Sequence, residues 1–435
     1  MLSAIGRASV DELYQHVPRS LRERARIELS NGLTEWTVYR RLASLAAQNV
    51  SAADWSIYLG GGIYHHFIPA AVDAIISRAE FSTSYTPYQP EVSQGTLQAL
   101  FEYQTLICQL TGMEVSNAAV YDGASAAAEA VLMVRRIQPA SRRRVLISRA
   151  LHPQYRAVIA TYLKNLVDIR LEEIPFDGTG ATDLAVLNER LDDRSMCVLV
   201  GYPNFFGVIE DLAPVKSACD RVGAQMISVT TEALALALLK PPGEFAVDIA
   251  VGEGQSLGVP MSLGGPAFGF FACQKKFVRH MPGRLVGETV DSEGRRGFVL
   301  TLATREQHIR REKATSNICT SQTLCALAAT VYMSLLGKSG IRRIAEINLA
   351  RAHGANRQLI GQGNFSGVFS GPFFNEFVLR GENLVQRVSR CAEEKIMPGV
   401  RLEQWYPELR DGLLICVTEM NEREEIDRLV RTIAA

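Results

Sequence analysis

AVDIAVGEGQSLGVPMSLGGPAFGFFA, residues 246–272, reads as a buried strand that runs into a glycine-rich turn and leaves as a second apolar strand. Val247, Ile249 and Val251 alternate with smaller residues, then Gly252, Gly254, Gly258, Pro260, Gly264, Gly265 and Pro266 punctuate the chain. Turns at strand ends are where α/β proteins carry their reactive groups. This turn offers Glu253, Gln255 and Ser256, and neither a lysine nor a histidine.

Outward from this stretch the same texture repeats. Short β-branched runs at 145–148, 197–201 and 225–229 precede it, separated by spans long enough for helices. Strand–helix–strand repetition of this kind implies a parallel sheet covered on both faces, and 268–273 adds a returning strand. Residues 1–65 read as helices: Thr34 can cap one, and Val38, Leu42 and Leu45 share a face. Leu100, Tyr103, Ile107 and Leu110 form another helical stripe within 93–112, with Gly112 as its stop. After about residue 318, TSQTLCALAATVYMSLLG (320–337) reads as one long apolar helix. Strands near 374–379 and 412–418 and a charged helix at 421–433 complete a smaller α+β domain. The chain therefore divides into a helical extension (1–65), a large α/β domain (66–318) and a small α+β domain (319–435).

Composition narrows the function classes. Forty-six basic residues balance 46 acidic ones, so nothing favours nucleic acid or an anionic membrane surface. No uninterrupted apolar run approaches the roughly 18 residues of a membrane span. The N-terminus, MLSAIGRASVDEL, lacks a signal-length apolar core, and the expected compartment is the cytoplasm. Eight scattered cysteines with no CxxC and no Cys/His cluster read as reduced, mostly buried thiols, with no metal site.

Several stretches carry candidate chemistry. In YDGASAAAEAVLMVRR (121–136), Gly123, Ala124 and Ser125 open an alanine-rich helix, either as an anion cradle or simply for close packing. STSYTPYQPEVSQG (82–95) sets Tyr85, Thr86, Pro87, Tyr88, Gln89 and Glu91 on a path stiffened by prolines, in the manner of a docking or ligand-contacting arm. His65 and His66 are adjacent without an acid or cysteine cluster, which favours a structural role over metal binding. Lys313, in RREKATSNICT, reads as solvated or ion-paired.

Together, YTPYQPEVSQGTLQALFEYQTLICQLTGM, YDGASAAAEA, PNFFGVIED (203–211), VGEGQSLGVP with GGPAFGFFA, and REKATSNICT resemble the N-terminal-half subunits of glycine decarboxylase, the P-protein family of the glycine cleavage system in its split form. The resemblance runs from about residue 1 to 435. It implies the aspartate-aminotransferase type (fold type I) of pyridoxal-phosphate enzymes. It also implies a companion C-terminal-half subunit that carries the pyridoxal phosphate in an α2β2 heterotetramer. The implied reaction decarboxylates glycine and passes the aminomethyl group to the lipoyl group of H-protein.

In that family the catalytic half holds its cofactor as a Schiff base on a lysine. Alignment of GEGQSLGVPMSLGGP places Gln255 at that position, and QMISVTTEAL places Thr230 where an acid would pair with the pyridinium nitrogen. The resemblance thus implies that this chain has no Schiff-base lysine and no covalent cofactor. It also implies that residues 85–91 contribute to the partner's active site or to the interface. His65 departs from the polar residue common at its position, while His66 fits the family. A non-catalytic scaffold or regulator of the same fold is the alternative. A self-sufficient enzyme using Lys240 or Lys313 is a third reading.

Overall fold

The computed structural model describes residues 1–25 and 29–435, in two compact units, Met1–Ser51 and Ala52–Ala435. The first unit contains the helices Arg19–Arg24 and Glu35–Ala46. Thr34 caps the second of these, its side chain accepting from the Thr37 N–H. Val38, Leu42 and Leu45 share a helix as expected, yet all three are exposed.

The helical extension ends at Ser51 rather than at 65. Residues 52–65 hold a turn, one short strand and irregular chain, and that strand's partner lies at the other end of the chain. Strand Ser56–Ile57 pairs in parallel with Ile396–Met397. Tyr58 sits in a core with Leu413, Ile415, Leu429 and Ile433, and no local sequence pattern could announce that pairing.

The large sheet has seven strands: β1 (Val115–Ser116), β2 (Arg144–Ser148), β3 (Arg170–Ile174), β4 (Ser195–Gly201), β5 (Gln225–Thr230), β6 (Ile249–Glu253) and β7 (Gly269–Cys273). Their spatial order is β1-β7-β6-β5-β4-β2-β3. The pairs from β3 through β6 are parallel, whereas β7 returns antiparallel to β6 and carries β1 at the edge. Strands β4 to β7 are buried on both faces apart from Gln225, which explains their nearly continuous apolar runs. One face packs on helix Gln94–Thr111, which ends at Gly112 in the left-handed conformation, and the other on helix Gly123–Ile137. A hairpin, Leu285–Val290 with Arg296–Thr301, lies against helix Gln94–Thr111; Gln94 pins it through paired 2.8 Å bonds with the Phe298 backbone.

Helix Thr323–Gly361 crosses from one core to the other. Ala326, Ala329, Tyr332 and Met333 pack in the core of the large sheet, while Ala352, Ala355 and Leu359 pack under the C-terminal sheet. Gly337, at φ 60° and ψ −178°, kinks it midway, a conformation other residues rarely adopt. By length and composition this helix could cross a membrane; part of its apolar surface is spent on these two protein cores, while Leu324, Leu335 and Ile360 are exposed. The C-terminal sheet has the order Phe365–Gly367, Glu376–Gly381, Gly412–Cys416, Val400–Arg401, all antiparallel, and helices Leu384–Glu393 and Arg423–Ala434 accompany it.

Candidate functional site

The carboxyl ends of β2, β4, β5 and β6 open toward one region, where an open α/β sheet conventionally places its ligand. Here the chain fills that region itself. The segment Gly60–Phe67 runs across it, and side chains from the strand ends and from the C-terminal sheet close on its backbone.

Gln255, two residues beyond β6, is buried and uses its whole amide. Its Oε1 accepts from the Tyr64 N–H at 2.8 Å, while Nε2 donates to the Tyr64 carbonyl at 3.0 Å and the Val259 carbonyl at 2.7 Å. A primary amide has both a donor and an acceptor edge, so it mimics one rung of a sheet ladder. A lysine ammonium carries donors only and could not accept from Tyr64. Thr230, at the end of β5, turns its hydroxyl to donate to the Tyr202 carbonyl at 2.9 Å.

The helix opened by Gly123, Ala124 and Ser125 receives internal carboxylates. Asp122 caps it, accepting from the Ser125 N–H at 2.7 Å, and Glu253 Oε2 accepts from the Gly123 N–H at 3.0 Å. The other Glu253 oxygen accepts from the N–H groups of Gly254, Gln255 and Phe268. Burial pushes this carboxyl up to about 8, against the pull of those donors. A Cβ on Gly123 would meet the Tyr155 hydroxyl and the Glu253 backbone, so glycine is what lets strand end and helix start touch.

A second carboxylate, Glu376, reaches in from the C-terminal sheet. It accepts from the Gly61 N–H at 2.7 Å and the Tyr64 hydroxyl at 2.9 Å, and burial raises it to about 7. His152 holds the same segment from the β2 side, its Nε2 2.6 Å from the Gly61 carbonyl, while its Nδ1 accepts from the Gln154 N–H. Burial lowers its pKa to about 4, so the ring is neutral.

His66 is the centre of a buried triad. Its ring nitrogens each lie 2.9 Å from a carboxylate, Nε2 from Glu232 and Nδ1 from Glu419. Burial alone would lower its pKa; the two carboxylates outweigh this and hold it near 10. Glu232 follows β5 and Glu419 follows the strand Gly412–Cys416, so the imidazolium joins the two sheets. His65 faces elsewhere, and its carbonyl accepts from Thr418 at 2.7 Å. The structural role expected for His66 is therefore more specific than its sequence suggested. Among the described residues there is no cluster that could hold a metal ion.

The segment 85–91 forms a separate group. Pro87 is buried and Thr86 half-buried, whereas Tyr85, Tyr88, Gln89 and Glu91 are exposed, Tyr85 by 85%. Tyr88 packs against His308, with ring centroids 5.4 Å apart, and its ring lies 5.3 Å from the Arg284 guanidinium carbon. Sequence reasoning missed Arg284; an arginine followed at once by the apolar Leu285 and Val286 is the signal that could have marked it. Lys313 is exposed, and Lys240 stacks on Phe245 at 4.4 Å.

The glycine cleavage system P-protein family model matches residues 1–433. A probable glycine dehydrogenase (decarboxylating) subunit 1 of Carboxydothermus hydrogenoformans is 48% identical over 435 residues, which is 100% of this chain and 96% of that one. The crystal structure of a glycine decarboxylase (P-protein) of the glycine cleavage system, in inhibitor-bound form, matches with a TM-score of 0.91 at 43% identity, covering 100% of this chain and 96% of that one. A cysteine desulfurase of Escherichia coli shares the fold, with a TM-score of 0.65 at 15% identity over 90% of this chain and 97% of its own.

Proposed function

Since the chain belongs to the glycine cleavage system P-protein family, we propose that it is the half of a glycine dehydrogenase (decarboxylating) that carries no covalent cofactor and works only beside a companion subunit. The relatives named subunit 1 support the first part of this reading. The observation that carries the second is Gln255, an amide whose donors and acceptor are all spent on Tyr64 and Val259.

Pyridoxal phosphate supplies an electron sink when bound, and a fold type I enzyme needs an amine to hold it. The residues here do not fit that requirement. Gln255 cannot form an imine, Thr230 offers a hydroxyl where a charged acid would serve, and Glu253 accepts from the Gly123 N–H at the possible anion cradle. The chain as purified is therefore expected to show no Schiff-base absorbance, and any adduct fixed by borohydride after added pyridoxal phosphate is expected to be substoichiometric and spread over exposed lysines such as Lys313. Pyridoxal recovered stoichiometrically on one side chain of the isolated subunit would refute the reading.

On this reading the cofactor sits on a lysine of the companion subunit in an α2β2 assembly, and lipoylated H-protein takes the aminomethyl group from glycine. The exposed Tyr85 and Tyr88, with Thr86, Pro87, Gln89 and Glu91, wall the partner's site or the interface and keep water from it. Replacing Tyr88 by alanine is expected to lower glycine–CO2 exchange by the reconstituted complex roughly 10- to 100-fold, with assembly intact. Wild-type exchange by that variant would remove Tyr88 from the site. Full exchange by the companion and H-protein without this chain would favour the scaffold reading instead.

A further inference from the structure

We propose that Arg284 is a positioning residue that fixes the exposed Tyr88 phenol for the site this chain shares with its companion. The inference rests on the reading that segment 85–91 faces that site, and it adds the residue that holds the segment's aromatic in place.

Arg284 directly precedes the strand Leu285–Val290, and its side chain is only 3% exposed. Its carbonyl accepts from the Ala118 N–H at 2.9 Å, which ties its backbone to the region beside the large sheet. A guanidinium brings five N–H donors in a rigid plane, and a buried one ordinarily closes on a carboxylate as a bidentate pair. Glu306 is available for this, with its side chain 5% exposed, yet the two do not close. Arg284 Nε stays 4.0 Å from Glu306 Oε2, and both Arg284 Nε and Glu306 Oε1 have no hydrogen-bond partner.

The guanidinium instead spends its other end on a loop and a ring. Nη2 donates to the Cys319 carbonyl at 2.7 Å and to the Tyr88 hydroxyl at 3.2 Å, and Nη1 lies 3.5 Å from Thr320 Oγ1. The guanidinium carbon lies 5.3 Å from the Tyr88 ring centroid, where a cation is attracted to the π cloud. His308 packs against the same ring, with its Nδ1 3.7 Å from Glu306 Oε2. Tyr88 is 48% exposed, so burial alone does not fix its orientation. A buried cation that stays at ion-pair distance from its neighbouring carboxylate but spends its hydrogen bonds on a loop and a half-exposed phenol, held by ring and hydroxyl, restricts that phenol before any partner arrives. Such restriction lowers the ordering cost when the ring meets its counterpart.

The test uses the complete complex of both subunits with H-protein and glycine, measuring CO2 exchange, subunit affinity and thermal midpoint. Arg284→Met is expected to lower kcat about tenfold while subunit affinity is kept. Arg284→Lys, which keeps the charge but loses the planar fork, recovers only part of that loss. The decisive arm is the double variant Arg284→Met/Tyr88→Ala, expected to be no slower than Tyr88→Ala alone, because the arginine acts through the tyrosine. Should Arg284→Met fail to assemble, Arg284→Lys with Tyr88→Phe carries the same comparison. Losses that multiply in the double variant, or wild-type exchange by Arg284→Met while Tyr88→Ala is impaired, would overturn the proposal. Wild-type exchange by Tyr88→Ala would instead sink the underlying reading of the segment.

Discussion

Replacing Gln255 by leucine is expected to destabilise the folded chain by about 4 kcal/mol, read as a lower denaturant midpoint at unchanged slope. Leucine fills a similar volume, so the loss comes from polar groups rather than from a cavity. It strands the Tyr64 N–H and the carbonyls of Tyr64 and Val259, all three now satisfied by one amide. Each buried group left unpaired costs about 1–3 kcal/mol, and partial relaxation keeps the sum below the maximum. Gln255→Lys is expected to be equally damaging and to give no Schiff-base absorbance with pyridoxal phosphate. An ammonium cannot accept from Tyr64, and Thr230 and Glu253 would still be in place. A Gln255→Leu variant as stable as wild type would show that this amide is not the clasp on segment 60–66.

The alkaline side of the stability profile is the second large effect. His66 is held near 10 in the folded chain, against about 6.5 when unfolded, so the folded state binds the extra proton between those values. The stabilisation is therefore complete below about pH 6.5 and lost as pH rises toward 10. Glu376 and Glu253, raised to about 7 and about 8 against an unfolded value of about 4.3, act in the same sense. A carboxyl kept neutral by burial favours folding below its unfolded pKa and loses that advantage as it ionises. Stability is thus expected to fall by on the order of 3 kcal/mol between about pH 6.5 and about pH 9.5, measured by urea unfolding at each pH. His66→Leu should cost about 3–5 kcal/mol at neutral pH, because Glu232 and Glu419 would lose the cation between them. It should also flatten the alkaline decline. A wild-type profile level across this range would show that the imidazole is neutral in the folded chain.

The central strands were legible because burial on both faces writes itself into consecutive apolar residues, as at Met196–Val200 and Ile249–Val251. Strand β3 was not, since RLEEI at the sheet edge keeps charges that pair sideways, Glu172 with Arg144 at 2.8 Å. The hairpin 285–301 was also missed; half of its first strand is exposed and its turn, DSEG, is wholly polar. Residues 52–65 were read as helical because their strand partner lies more than three hundred residues away. At the candidate site, the family resemblance alone singled out Gln255 and Thr230. What they touch was invisible, because Tyr64, Glu376 and the His66 triad meet through contacts that span most of the chain. Arg284 escaped for the same reason, its partners being Tyr88, Cys319 and Thr320.

The bent helix Thr323–Gly361 has a mechanical corollary. With one arm embedded in each core, it is a girder shared by two rooms. The corner at Gly337 takes a dihedral that glycine adopts freely and other residues rarely do, so any side chain there would strain the girder at its bend.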